Sequence, residues 1–165
     1  MSARSMRLFV SALLGVTVLV GARPLLMGQS PGQKLLLGTW RLDLTKSTYF
    51  PGPSPRSETR IYTADKDGVQ GAINRVYADG HTEIIEYRAN YDREQAVTGT
   101  PAYDAITLKK IDDYTSVSTL SHAGMVYGTA RRVISPDGNT MTIAFERKTR
   151  DDTIRNVAVY HRVPN

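Results

Sequence analysis

Regular punctuation by turn residues constrains this chain more than any other feature of its sequence. Turn signals recur at Asp65-Lys66-Asp67-Gly68, Ala78-Asp79-Gly80, Tyr91-Asp92-Arg93, Asp112-Asp113, Ala123-Gly124, Pro136-Asp137-Gly138-Asn139 and Arg150-Asp151-Asp152. Between them lie segments of about 7 to 11 residues rich in Val, Ile, Thr and Tyr. Asp-Gly and Gly-Asn pairs supply the positive φ that tight hairpins need. No helical period interrupts the series and no helix is predicted. The fold class that follows is all-β: an antiparallel meander of about 8–10 strands closing into a barrel or a sandwich.

Alternation assigns the inner faces. In Leu37–Leu44, Trp40, Leu42 and Leu44 point one way and Thr39, Arg41 and Asp43 the other; in Met141–Arg147 the apolar set is Met141, Ile143 and Phe145. Along the last strand Val157, Val159 and His161 form the apolar set, against Asn156, Ala158, Tyr160 and Arg162. The middle is less regular: Thr115–His122 alternates Val117 with small hydroxyls, and Gly71, Ala72, Asn74 and Arg75 interrupt Val69–Tyr77. Mixed faces suit a barrel with a lumen; imperfect patterning around a filled core is the alternative. Thr45–Arg56 reads as the first large loop, stiffened by Pro51, Pro53 and Pro55, which fix φ; a cover in which Tyr49 and Phe50 fold over an opening and a surface loop with no role are the two readings. Val97–Pro101 reads as a short edge piece and bend.

On the first strand, Gly38-Thr39-Trp40 resembles the G-x-W signature of lipocalins and related calycin barrels. The similarity lengthens through Trp40-x-Leu42-Asp43, Lys46-Ser47-x-Tyr49, Pro51-Gly52-x-x-Pro55 and Ser57-Glu58-Thr59-Arg60. It continues in Glu86-Tyr87, Tyr91-Asp92, Val97-Thr98-Gly99, Ser135-x-Asp137-Gly138-x-Thr140-Met141-Thr142 and Asn156-Val157-Ala158-Val159-Tyr160. This pattern resembles a group of short secreted bacterial lipocalin-like proteins, with Asp43 where Asn is expected. The resemblance implies a lipocalin-like barrel and an exported protein, and it implies no reaction. It also implies that Trp40, the chain's single Trp, plugs the closed end of the barrel while a basic residue of the last strand covers its ring. Arg162 is the first candidate for that role and Arg155 the second; a cation over an indole is worth roughly 0.5–2 kcal/mol. Gly38, Trp40 and Arg162 are thus expected to be structural.

The first residues carry a different signal. Arg4 and Arg7 precede an uncharged apolar run, Leu8–Ala22, that ends in Val20-Gly21-Ala22 before Arg23-Pro24. A positive start, about 15 apolar residues and a small-residue exit describe a cleavable signal peptide. An uncleaved anchor needs roughly 20 apolar residues. The expected organisation is a signal peptide over 1–22, a linker over 23–34 and a barrel over 35–163, in a secreted or periplasmic protein with no stable membrane span after processing. Of 21 Lys and Arg against 16 Asp and Glu, Arg4 and Arg7 leave with the signal, which lowers the net charge from +5 to +3. The remaining basic doublets are scattered among strands rather than gathered in a stripe, so no nucleic-acid partner is predicted. The absence of Cys excludes thiol catalysis, disulfides and a lipid anchor on Cys.

No nucleophile elbow, zinc-protease motif, phosphate loop or EF-hand spacing occurs, and no catalytic residue, metal site or cofactor is assigned. Three His remain: His81 after a turn, His122 at a strand end and His161 on the last strand. Haem barrels resembling nitrobindin keep a proximal His on a late strand, which makes His161 the candidate there. Glu83 and Glu86 have an odd separation and so point to opposite faces. Inward-facing polar residues are more informative. Tyr87, Ala89 and Tyr91 share a face, as do Tyr127, Thr129 and Arg131. With nine Tyr against three Phe, the wall offers large apolar bodies with hydroxyl handles. An inward Arg75 or Arg131 would favour an anion; in the opposite register both are solvated. The expected function is binding of a small apolar or amphipathic ligand, with an anionic head as one form of it. Tyr87, Tyr91, Tyr127 and Arg131 would line the site, and Tyr49 and Phe50 its mouth. A filled structural barrel, and a haem-assisted or isomerase-type enzyme, are the alternatives. N-terminal sequencing of the exported form should find its first residue between Arg23 and Gln33; an exported chain beginning at Met1 would overturn the signal-peptide reading.

Overall fold

The computed structural model describes residues 31–66, 68–150 and 152–164; the expected signal peptide and most of the linker lie outside them. A short helix, α1 (Pro31–Leu36), leads into ten strands. They are β1 (Gly38–Phe50), β2 (Ser57–Asp65), β3 (Gly68–Val76), β4 (Thr82–Asn90), β5 (Glu94–Thr98), β6 (Ala105–Lys110), β7 (Thr115–His122), β8 (Met125–Ile134), β9 (Thr140–Lys148) and β10 (Thr153–Arg162). Each strand pairs antiparallel with its sequence neighbour, and β1 pairs with β10 as well, which closes the barrel. The turn spacing therefore predicts the architecture, with the strand number at the top of the expected range. Val97–Thr98 belongs to β5, which pairs on both sides and is no edge. No helix among the described residues is long and apolar enough to cross a membrane.

One end of the barrel is a packed floor. Trp40 is completely buried there, in the same core cluster as Leu36, Val69, Ala89, Leu108, Ile134 and Met141. Its indole Nε1 donates to the Leu36 carbonyl at 2.9 Å. The Arg162 guanidinium lies 4.3 Å from the ring centre and donates to the carbonyls of Leu35, Leu37 and Gly138. Arg162 is directly opposite Trp40 in the β1–β10 ladder, so register alone brings the two together. Gly38 takes φ of 121°, and a Cβ there would stand 2.8 Å from Arg162 Nη1. Gly is the residue that both the backbone and the guanidinium allow. Helix α1, which straddles the expected linker–barrel boundary, supplies two of the carbonyls that this floor uses, those of Leu35 and Leu36. It is one and a half turns long, too short for a periodic sequence signal.

Two strands depart from the alternation that the sequence suggests. β1 does not end at Leu44 in a long loop: it runs to Phe50, and only residues 51–56 are loop. Asp43 pairs with Val159 but Thr48 with Val157, so β1 carries three extra residues at a bulge. Ser47 bridges that gap. Its hydroxyl donates to the Asp43 carbonyl at 2.6 Å and accepts the Val159 N–H at 2.9 Å. An odd insertion reverses the faces, so Leu44 is 41% exposed and Tyr49 turns inward while Phe50 turns out.

β10 is reversed for another reason. Ala158 and Tyr160 are buried and Asn156 lines the interior, whereas Val157 is 42% exposed. His161 faces outward too, opposite Arg41, with its Nε2 2.8 Å from the Asp43 carboxylate. The interior beside β10 is polar, so its inward residues resemble those usually found in water. Emptying the floor gives the direct check on this architecture. Trp40→Ala should lower stability by about 3–5 kcal/mol, the usual cost of removing a large buried aromatic, read as a shift in the denaturant midpoint. An unchanged midpoint would contradict a buried Trp40.

Candidate ligand site in the barrel lumen

Above the floor the barrel encloses a cavity of ≈ 300 Å³. Its polar centre comes from three inward positions of one strand. Glu58, Arg60 and Tyr62 alternate along β2, with Thr59 and Ile61 between them on the other face. Arg75 enters from β3, directly opposite Glu58 in the ladder, and Tyr160 comes across from β10. The Glu58 carboxylate is 2% exposed and holds all of these together. Oε1 accepts from Arg60 Nε at 2.6 Å and from the Tyr160 hydroxyl at 2.7 Å; Oε2 accepts from Arg75 Nε at 2.6 Å. Arg60 also donates to the Tyr160 oxygen at 3.1 Å. Arg75 Nη1 reaches the Tyr77 hydroxyl at 3.2 Å, and that hydroxyl donates to Glu83 at 2.6 Å.

A third guanidinium lies deeper. Arg132, 7% exposed, donates to the Ser116 hydroxyl at 3.1 Å and lies 5.2 Å from the centre of the Tyr62 ring. Three Arg and one Glu are the charged residues lining the cavity. Burial works to raise the Glu58 pKa, but Arg60 and Arg75 outweigh it and hold the carboxyl down at about 2, fully ionised at neutral pH. Burial likewise pushes Tyr49 up to about 12. Tyr62 goes the other way: burial would raise it, but Arg60 and Arg132 beside it lower its phenol below the ordinary value.

Aromatic rings make up much of the remaining wall. Seven of the chain's nine tyrosines line the cavity, all but Tyr91 and Tyr114. Two glycines make room for rings to lie against the strands. A Cβ at Gly71 would stand 2.5 Å from the Tyr87 ring, and one at Gly128 would stand 2.7 Å from Phe145. Near the mouth Tyr103, Tyr127 and Phe145 form a tilted series with centroids 5.8 and 6.4 Å apart. The Arg147 guanidinium lies 4.1 Å from the Tyr127 ring centre. Pro53 and Pro55 complete the rim.

Of the residues singled out from sequence, Tyr49, Tyr87 and Tyr127 line this cavity. Phe50 is 58% exposed on the outer side of β1. Tyr91 sits at the floor end, beside Leu36 in a small surface cleft. Arg131 faces solvent, and the inward guanidinium is its neighbour Arg132. The cause is a bulge in β8: Leu120 pairs with Gly128 and Ser121 with Val126, which leaves Tyr127 unpaired and reverses the faces beyond it. Tyr127 and Arg131 therefore do not share a face. Glu58, Arg60, Tyr62 and Tyr160 escape an alternation reading because charged and phenolic residues at period two look like a solvated face. No His lines the cavity, so it offers no axial His for haem, and no group of three potential metal ligands occurs among the described residues.

The Glu58 network sets an acid limit. Its pKa is lower folded than unfolded, so the stability it contributes is complete above about pH 4.5 and is lost as the pH falls towards 2. Asp43 outside the barrel, also held at about 2 by hydrogen bonds from Thr45 and His161, adds to the same window. Glu58→Gln isolates the interior part. The midpoint gap between wild type and variant should narrow as the pH falls from about 4.5 to 2. A gap that stays constant would show that the network does not depend on the ionised carboxylate.

No protein-family model and no curated protein matches the sequence. Among solved structures, a redesigned β-barrel, mFAP1, bound to DFHBI, is similar to 81% of this chain and to 100% of its own, at 13% identity and a TM-score of 0.43.

Proposed function

We propose that this protein is an exported, lipocalin-like binding protein that holds a small amphipathic ligand in its barrel, apolar body against the tyrosines and anionic head towards the arginines. One observation carries the reading: a cavity of ≈ 300 Å³ whose wall combines aromatic rings with three guanidiniums against one carboxylate. An apolar cavity with a few placed polar groups is the usual form of a small-molecule site, and pockets of roughly 300–1,000 Å³ serve that purpose. At the lower end of the range, the lumen encloses a compact ligand, and a long tail would extend past Tyr49 and Pro53. The charged N-terminus, the apolar Leu8–Ala22 and the small-residue exit support export. The G-x-W strand start, with Arg162 over Trp40 at the floor, supports the lipocalin-like reading.

A neutral solvatochromic dye should bind saturably near one equivalent, and a fatty acid should displace it better than its methyl ester does. Arg75→Met should weaken the acid by about tenfold and the ester by less than about threefold, since hydrogen bonds to charged groups are worth roughly 1.5–3 kcal/mol. Arg131→Ala, outside the barrel, should change neither. Absence of saturable dye binding would favour a filled structural barrel. Equal losses for acid and ester would remove the charge pairing.

A further inference from the structure

The lumen is over-supplied with positive charge. Glu58 is shared between Arg60 and Arg75. Arg132 has no carboxylate partner among the described residues: its contacts are a serine hydroxyl and a phenol ring, both neutral. Glu83 accepts from the Tyr77 hydroxyl and Arg147 lies over the Tyr127 ring, and neither lines the cavity. With Arg60, Arg75 and Arg132 set against Glu58, the lining carries a net charge of +2. A buried cation without a counter-charge is costly, and a folded chain retains one where something else supplies the anion.

We propose that the ligand carries two negative charges, placed between Arg132 at the deep end of the lumen and Arg60 and Arg75 above it. This rests on the ligand-binding reading above and specifies the chemical class: an aromatic or similarly compact body bearing a dianionic oxyanion. Tyr62 shows what the site does by itself. It is buried, its ring beneath Arg132 and its hydroxyl 3.5 Å from Arg60 Nη1. Burial opposes its ionisation, yet the two guanidiniums bring its phenol below the ordinary value. A bound dianion supplies the negative charge that these guanidiniums favour. Seven tyrosines around these cations give flat, polarisable walls for an aryl body with hydroxyls at their edges.

The test is calorimetric titration of the chain at about pH 7.5, where a phosphate monoester is close to doubly charged. Phenyl phosphate and benzene-1,3-dicarboxylate are the dianions; methyl phenyl phosphate and benzoate are their singly charged counterparts. At least one dianion should bind roughly tenfold or more tightly than its counterpart. Arg132→Met should reduce that ratio to under about threefold while a neutral dye still binds. Preference confined to phenyl phosphate places both charges on one group; preference confined to the dicarboxylate places them on two. Ratios under about threefold for both pairs in the wild type, with the dye still saturating, overturn the dianion and leave the binding lumen standing. Loss of dye binding in the wild type overturns both. If Arg132→Met does not fold, the wild-type ratios decide alone.

Discussion

The polar centre of the lumen is arranged around one buried carboxylate. Glu58 accepts from two guanidiniums and a phenol contributed by three strands, β2, β3 and β10. Taking any one of these charges out of water alone would cost several kcal/mol. Together they satisfy one another and fix where Arg60 and Arg75 direct their remaining donors. A lumen built this way is polar at its centre and aromatic over much of its wall. The aromatic wall gives each ion pair a low-dielectric setting, where geometry matters more than it does on a surface.

The floor solves a separate problem with different chemistry. A barrel without disulfides has only burial and register to close its end. Here Trp40 fills the cross-section, while Arg162 covers its ring and ties the chain preceding β1 to the β8–β9 turn through three carbonyls. Register explains the economy: the two residues face each other across the seam where first and last strands join. Barrel closure and floor packing therefore rest on the same pair of residues.

The sequence makes the meander legible because turn chemistry is local: Asp-Gly pairs and β-branched runs require no knowledge of partners. Gly38 and Trp40 stand out as well, through their resemblance to a known strand start, and that resemblance asks for a basic residue on the last strand, for which Arg162 and then Arg155 are the candidates; it is Arg162 that lies over the Trp40 ring. What alternation cannot deliver is the identity of the inner face when the interior is charged. β2 and β10 place Glu58, Arg60, Asn156 and Tyr160 inside and Ile61 and Val157 outside, which inverts the ordinary pattern. The bulges at residues 44–47 and at Tyr127 add a second obstacle, since each inserts an odd number of residues and reverses every face beyond it. That reversal is why Arg132, rather than Arg131, enters the lumen, and why Tyr49 does so rather than Phe50.

Gly71 and Gly128 carry a consequence for how such a barrel can diversify. Each holds open the space in which one ring lies, so the outline of the lumen depends on two side chains that are not there. A single methyl at either position would stand too close to the Tyr87 or Phe145 ring, so the ring would have to move and the outline of the cavity with it; at Gly128 the Glu146 carbonyl, 2.9 Å away, would have to give as well. Fit and charge are written at different addresses in this chain. A lineage could therefore reshape the lumen by way of its glycines while keeping the same set of cations along its wall.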